Sequence, residues 1–267
     1  MILQKNYFNP NNYIDFHTHL NDYPQDELFF QLKDFSGIII TASCDSESYK
    51  KNCLIQNKSK NFSKLKIIPT FGIHPKQAAN CQNDLSVYDE ICYTSPIIGE
   101  IGLDLCWAKD VPFNKQEKVF RYFLEHCNAN KKYCVIHCKD AEKQVSQILL
   151  DYPEAKPIIH WYDGPINIYK EFIKRGYYQT FGCESIRSKH IQNLLLLTPP
   201  NLILAETDNP ESEPWLGGSD NSIFLIKKIY QDISQISGRS LVDIQNIINS
   251  NSMTILEEAF SRLCQFS

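Results

Sequence analysis

The sequence predicts a (β/α)8 barrel, in which eight parallel strands form a closed ring surrounded by helices. Eight short apolar runs alternate with longer amphipathic stretches, and fully apolar runs are typical of strands buried on both faces of a parallel sheet. The chain has 267 residues, close to the ~250 that such a barrel fills as one domain. We therefore expect residues 1–267 to form one barrel domain. The runs are 13–16, 37–42, 66–72, 96–103, 133–137, 156–161, 177–181 and 202–206.

Helices are predicted between and after these runs, where apolar side chains recur at helical spacing. Pro112 and Pro165 precede two of the periodic stretches and favour helix starts there. The stretches are 119–127, 166–173, 223–233 and 241–263, the last with a predicted break at 249–252. Strands that alternate with helices favour a parallel sheet that closes into a barrel.

An open doubly wound sheet is the competing fold. That fold binds its ligand through a glycine-rich phosphate loop after the first strand. Here the first strand instead ends in Asp15-Phe16-His17-Thr18-His19, and the whole chain has only ten glycines. The barrel is therefore the better interpretation.

The composition excludes several function classes. Lys and Arg number 27 against 31 Asp and Glu, a net charge of −4, so attraction to nucleic acid would have to be local. No apolar run reaches the ~18 residues of a membrane span, and residues 1–6 lack the basic and apolar regions of a signal peptide. The ten cysteines form no CxxC pair, so we expect mostly buried, reduced thiols in a cytoplasmic protein.

Polar side chains gather where the predicted strands end. Barrel enzymes place their chemistry at the C-terminal ends of their strands, and five of the seven histidines lie at such ends. The residues at these ends are His17, His19, His74, His137 and His160, together with Glu100, Asp104, Glu206 and Asp208. Imidazole and carboxylate groups in one barrel mouth suit a divalent metal, and burying them without one is costly.

Two metal ions fit this set better than one. Four histidines and two carboxylates exceed the three or four protein ligands of a single catalytic site. The glutamate on the fourth strand can bridge two ions with its two oxygens, and paired ions suit phosphoester hydrolysis. The aspartate after the eighth strand can hold one ion and accept a proton from water. The candidate ions are Mg, Mn or Zn.

Six short motifs in order resemble the TatD-related metal-dependent deoxyribonucleases. The motifs are Asp-Phe-His-Thr-His, Gly-Ile-His-Pro, Gly-Glu-Ile-Gly-Leu-Asp, Ile-His-Cys-Lys, His-Trp-Tyr-Asp-Gly and Glu-Thr-Asp-Asn-Pro, from Asp15 to Pro210. The resemblance implies an amidohydrolase-type barrel that hydrolyses DNA phosphodiesters, commonly from a 3′ end. It places the metal ligands on His17, His19, Glu100, His137, His160 and Asp208, with Glu100 and Asp208 as the catalytic carboxylates.

Two departures from the family pattern leave the substrate open. Lys139 stands where the family often has arginine, and lysine lacks the bidentate fork that arginine offers to phosphate. Asp163 stands where the family commonly has serine and adds a negative charge near the mouth.

Three residues are candidate substrate contacts. His74 would touch a phosphate, or else be a loop histidine bonded to backbone beside Pro75. Lys139 would also meet a phosphate, or else be a solvated lysine. Glu206 would help to bind a third cation or a water. Aromatic side chains near the strand ends or in the loop after the eighth strand would stack on an unpaired base or pack in the core; they are Trp107, Trp161, Tyr162 and Trp215.

The function that these features favour is a metal-dependent deoxyribonuclease of the 3′-5′ exonuclease type. Its partner is DNA, at ends or in single strands, and the oligomeric state is left open. A second hypothesis is hydrolysis of an amide, lactone or aminoacyl ester, because the same scaffold supports those reactions. A third is a metal-binding interaction protein without turnover, against which the intact ligand set argues.

Overall fold

The computed structural model describes residues 12–264 and contains the eight predicted strands, all paired in parallel. Each predicted run contains or overlaps an observed strand, so the predicted (β/α)8 fold is confirmed. The strands are β1 (Tyr13–Thr18), β2 (Gly37–Thr41), β3 (Leu65–Pro69), β4 (Ile98–Asp104), β5 (Tyr133–Lys139), β6 (Lys156–Ile159), β7 (Tyr178–Phe181) and β8 (Ile203–Ala205).

The strands form a three-stranded sheet, β1-β2-β3, and a five-stranded sheet, β4 to β8, in chain order. A parallel bridge between Phe71 and Ile98 joins the two sheets on one side. On the other side, the Asp208 amide donates to the His17 carbonyl at 2.9 Å. The His19 amide donates to the Asn209 carbonyl at the same distance. These bonds close the ring and bring the end of β1 beside the segment that follows β8.

Helices follow most strands and cover the outside of the ring. They are α1 (Gln25–Leu32), α2 (Ser46–Lys58), α3 (Asp89–Thr94), α4 (Phe113–Asn130), α5 (Glu142–Ile148), α6 (Ile166–Lys174), α7 (Lys189–Leu197), α8 (Ser212–Trp215), α9 (Leu225–Ser237) and α10 (Leu241–Leu263). The helices α4 and α6 begin directly after Pro112 and Pro165, as predicted.

The predicted break at 249–252 is wrong, because α10 runs through these residues without interruption. The two asparagine side chains there bind other parts of the protein instead of their own backbone. Asn251 donates to the carbonyls of Pro200 and Ile203 at 2.8 and 2.9 Å, and Asn249 donates to that of Asn12 at 2.9 Å. These bonds dock α10 against the start of β1 and β8, so the asparagines support the helix rather than end it.

Two apolar clusters form the core. The larger one joins the strands to the surrounding helices and includes Phe120 and Phe123 of α4. The smaller one joins strand residues such as Val135 and Leu204 to Leu256 of α10. Because alternate strand residues point to opposite faces, most strands contribute to both clusters.

The described residues contain no helix that is long and apolar enough to span a bilayer. Residues 1–6, from which the lack of a signal peptide was predicted, lie outside the described part of the chain. All ten cysteines lie inside it and are free thiols. Five are buried, four are partly exposed, and Cys264 is exposed.

Candidate metal centre

The C-terminal strand ends surround a cavity of about 650 Å³. Most of the predicted metal ligands line it: His19, Glu100, His137, His160 and Asp208. His17 is buried beside His19, with 3.3 Å between their Nε2 atoms. The closed ring thus brings together side chains that are far apart in the sequence, because each lies in a strand or within three residues of its C-terminal end.

Glu100 lies at the centre of the histidine cluster. Its Oε2 atom is 3.5 Å from His17 Nε2 and 3.6 Å from His19 Nε2. Its Oε1 atom is 2.8 Å from His137 Nδ1 and 3.6 Å from His160 Nε2. The two oxygens therefore face separate groups of histidines, an arrangement that would suit a carboxylate bridging two cations.

Asp208 lies on the same side of the cluster as His17 and His19. Its Oδ1 atom is 3.4 Å from His17 Nε2 and 3.1 Å from His19 Nε2. Its backbone is left-handed, with φ 51°, a conformation that is uncommon outside glycine and that concentrates at functional sites. The side chain is 24% exposed, whereas that of Glu100 is 3% exposed. Asp208 is thus the carboxylate that water can reach.

The second histidine pair is oriented by carboxylates behind it. His137 Nε2 is 3.0 Å from Asp104 Oδ2, and His160 Nδ1 is 2.8 Å from Glu206 Oε2. Each of these carboxylates accepts a hydrogen bond from one ring nitrogen, so that the other ring nitrogen faces Glu100. Histidines that bind metals are typically held in this way, which fixes both the tautomer and the ring direction.

Glu206 does not lie where the sequence interpretation placed it. Its side chain is fully buried, and its second oxygen, Oε1, accepts the Trp161 amide at 3.0 Å. A substrate contact does not fit this position, because both oxygens are engaged inside the protein. Its hydrogen bond with His160 Nδ1 instead orients the His160 ring.

Asp15 supports the site from behind, in a position that was not predicted from the sequence. Its Oδ1 accepts the amides of His17 and Thr207 at 3.3 and 3.0 Å, and its Oδ2 accepts the Thr207 hydroxyl at 2.6 Å. The carboxylate thereby ties the end of β1 to the segment that carries Asp208. The available signal was the Asp-x-His-x-His alternation, which gives Asp15 the same strand parity as both histidines.

His74 reaches the cluster from the loop after β3. Its Nδ1 accepts the Lys76 amide at 3.1 Å, so the neutral ring carries its proton on Nε2. That atom lies 3.5 Å from Glu100 Oε1. Burial lowers the pKa of His74 to about 3. His74 is therefore a neutral hydrogen-bond donor that faces the centre.

In the metal-free chain, the buried carboxylates of the site raise the pKa values of the histidines around them. Burial would lower the pKa of His17, but the carboxylates of Asp208 and Glu100 raise it to about 9. The pKa of His137 is likewise raised to about 9 by Asp104 and Glu100, against the effect of burial. Burial would raise the pKa of Glu100, but the histidines hold it well below its usual range. Protons on histidine thus balance the carboxylates of the metal-free chain.

Lys139 also lines the cavity. Its ammonium group forms an ion pair with the carboxylate of Asp163. It also lies 5.0 Å from the ring centroid of Trp107 and 6.0 Å from that of Trp215. Lys139 can therefore approach a substrate phosphate, in competition with Asp163.

The residues present fit divalent metal ions. Three overlapping sets of ligand atoms each lie within 4.8 Å of one another: His17, His160 and Asp208; His17, His19 and Glu100; and His74, Glu100 and His137. Imidazole nitrogens mixed with carboxylate oxygens form the donor set of catalytic sites for zinc and similar ions. A (β/α)8 barrel with such a centre at its C-terminal mouth defines a metal-dependent hydrolase.

Comparison with known proteins specifies the family. The family described as TatD related DNase matches residues 14–257, and the chain belongs to this family. The match includes every motif on which the resemblance rested, from Asp15 to Pro210.

Similar proteins and solved structures agree with this assignment. An uncharacterized metal-dependent hydrolase of Methanocaldococcus jannaschii is 26% identical over 248 residues, covering 90% of this chain and 95% of that protein. The 3′-5′ ssDNA/RNA exonuclease TatD of Citrobacter koseri is 26% identical over 183 residues, covering 66% and 68%. The crystal structure of a TatD family hydrolase from Entamoeba histolytica has a TM-score of 0.77 at 22% identity, covering 91% and 97%. That structural likeness supports the fold.

Proposed function

We propose that this protein is a metal-dependent deoxyribonuclease that degrades single-stranded DNA from the 3′ end. The observation that carries the proposal is the position of Glu100, whose two oxygens face two separate groups of histidines. Such a centre suits two ions of Mg, Mn or Zn, with His17, His19 and Asp208 on one side and His137 and His160 on the other. The name of the Citrobacter relative supports the substrate and the polarity.

Bound divalent ions supply positive charge for phosphate oxygens and make water a stronger acid. The remaining roles belong to side chains of this chain. Asp208 is placed and exposed so that it can accept the proton of the attacking water. His74 can donate a hydrogen bond from its Nε2–H group to a phosphate oxygen, since its Nδ1 atom already accepts the Lys76 amide.

The catalytic unit in this proposal is the whole chain, residues 1–267. Free thiols at all ten cysteines fit a reducing compartment, and we place the enzyme in the cytoplasm for that reason. Lys139 adds a phosphate contact when it leaves Asp163.

Digestion of end-labelled DNA tests the proposal. Purified protein is incubated with single- and double-stranded oligonucleotides, with each divalent metal in turn and with a chelator. We expect 5′-labelled single strands to shorten stepwise and 3′-labelled strands to release mononucleotide at once, only when metal is present. Glu100→Gln is the matched inactive control. The proposal fails if no oligonucleotide is cleaved under any metal while a panel of amides, lactones or aminoacyl esters is hydrolysed.

A further inference from the structure

Two tryptophans are exposed at the mouth of the cavity. Trp107 follows β4 and Trp215 ends α8, and their side chains are 42% and 54% exposed. Their ring centroids are 5.5 Å apart and their planes meet at 80°. The two rings therefore form an open corner, here called the tryptophan corner, which offers one ring face and one ring edge to a flat molecule. Large exposed aromatic surface of this kind typically marks a binding site.

The tryptophan corner is held at a fixed position relative to the metal centre. Asp104, which orients His137, also accepts the backbone amides of Cys106 and Trp107 at 2.8 and 2.6 Å. The ring centroid of Trp107 is 6.2 Å from that of His137. A base lying on Trp107 would therefore belong to a nucleotide beside the reacting phosphate. One carboxylate thus sets the position of both a metal ligand and a stacking surface.

Two lysines lie beside the tryptophan corner. The ammonium groups of Lys76 and Lys139 lie 5.6 and 5.0 Å from the ring centroid of Trp107. Proteins that bind single-stranded nucleic acid combine aromatic rings for the bases with cations for the backbone. The deeper cavity, in contrast, is lined by histidines and carboxylates. The aromatic rings and lysines at the mouth therefore suit a base and its backbone. The histidines and carboxylates inside the cavity suit the phosphodiester that is cleaved.

We propose that the tryptophan corner receives the unpaired 3′-terminal base of single-stranded DNA and so determines the preference for single-stranded ends. This inference rests on the proposed function. A base inside a duplex has both faces covered by its neighbours and its pairing edge bonded to a partner. A single unpaired base offers the free face and the free edge that two rings at 80° can contact.

An abasic substrate separates stacking from cleavage. The intact protein and the variants Trp107→Ala and Trp215→Ala are compared on single strands that end in adenine or in an abasic residue. On the adenine substrate, each variant is expected to raise KM by about 5- to 150-fold, which corresponds to ~1–3 kcal/mol per stacked base. On the abasic substrate, the variants and the intact protein are expected to have the same KM. kcat is expected to change little on either substrate.

Two further variants serve as controls. Trp215→Phe keeps a ring for stacking and is expected to recover most of the affinity. Phe30→Ala removes an aromatic side chain that is 66% exposed in α1, outside the cavity lining, and is expected to behave as the intact protein.

The outcomes distinguish the two claims. Suppose that the protein cleaves DNA but that removing either the base or the tryptophans leaves KM unchanged. The inference that the tryptophan corner binds the base is then overturned, and the proposed function stands. If the Ala variants lose affinity equally for adenine and abasic ends, the tryptophans do not bind a base and the inference is also overturned. If the intact protein neither binds nor cleaves any oligonucleotide, the proposed function fails and the inference fails with it.

Discussion

The two ends of the same strands carry opposite kinds of side chain. In β5, Tyr133 and Val135 pack in the apolar cluster that contains Leu256 of α10. Two residues further along the same strand, His137 belongs to the polar centre around Glu100. These three strand residues share the same parity, so alternation gives them the same face of the strand. One face of one strand therefore changes from apolar packing to metal-binding chemistry within two residues.

This contrast shows that stability and chemistry occupy separate ends of the barrel. The apolar end releases surface from water and stabilises the fold. The polar end holds carboxylates and histidines at short distances, which the metal-free chain balances only by raising the pKa of histidines such as His17. Changes at the polar end should therefore affect rate more than folding, and changes at the apolar end should do the reverse.

The largest effect is expected for Asp208→Asn at the polar end. Asparagine keeps the shape and one oxygen but cannot accept a proton at neutral pH, so kcat should fall by ~10²–10⁴-fold. Metal content and melting temperature should change little. Asp84→Asn is a matched control, because Asp84 caps a short helix by accepting the Ser86 amide at 3.0 Å. Retained kcat with a lowered melting temperature in Asp208→Asn would show that Asp208 is a turn cap.

Leu256→Ala tests the apolar end. Leu256 is fully buried in the smaller cluster, and removing its side chain leaves a cavity that should lower the free energy of unfolding by about 2–5 kcal/mol. kcat per folded molecule should stay the same. Val242→Ala, at an exposed position of α10, should change stability by less than ~0.5 kcal/mol. A loss of kcat in folded Leu256→Ala would mean that the two ends are not separate.

The pH dependence of the free energy of unfolding, measured on metal-free protein in the presence of a chelator, tests the histidines of the polar end. The folded-state pKa values of His17 and His137 are raised to about 9, from 6.5 in the unfolded chain. Their contribution to stability is therefore fully present below pH 6.5 and is lost as the pH rises through 9. Denaturant unfolding should show a decrease of up to about 1.4 kcal/mol per pH unit for each histidine. An equal stability at pH 6.5 and 8.5 would contradict this.

Bound metal is expected to contribute a stability that increases with pH, opposite to the trend in the metal-free protein. Bound ions need deprotonated histidines, so metal affinity should weaken as the pH falls below about 6. The stability gained by adding metal should therefore be larger at pH 8 than at pH 6, and the same unfolding series with metal present measures it.

The smallest effect is expected for Lys139→Ala. With a net charge of −4, few protein cations contact phosphates, so the salt dependence of DNA binding should be shallow. Removing one phosphate contact should weaken binding a few-fold and reduce the slope of log K against log salt by ~0.7. Metal content should be unaffected. Lys51→Ala is the control, because Lys51 is also paired with a carboxylate, that of Glu47. A steep slope of log K against log salt in the intact protein would contradict a binding surface that contacts only a few phosphates.

The fold could be predicted largely because its strands are buried on both faces. A run such as 37–42 has no polar face, and this excludes a half-solvated antiparallel sheet. The gathering of His17, His137 and Asp208 at one mouth followed from topology, because the C-terminal ends of parallel barrel strands meet.

The partners of these side chains could not be predicted in the same way. Which carboxylate orients His160 depends on side-chain rotamers and on how the strand ends lie in space. The sequence therefore predicted that Glu206 helps to bind a third cation or a water, whereas it lies behind the His160 ring. The continuous helix α10 was missed for a related reason. Asn251 bonds to carbonyls that are 48 and 51 residues away in sequence, and no local pattern shows such contacts.

The central claim is that the polar end of the barrel holds two divalent ions, and the metal content of carefully reconstituted protein tests it most directly. Elemental analysis should give close to two ions per chain for the intact protein. The double variant His17→Ala, His19→Ala should lose at least one of them, because both imidazoles face the same oxygen of Glu100. A content near zero in the intact protein, or an unchanged content in the double variant, would contradict the account.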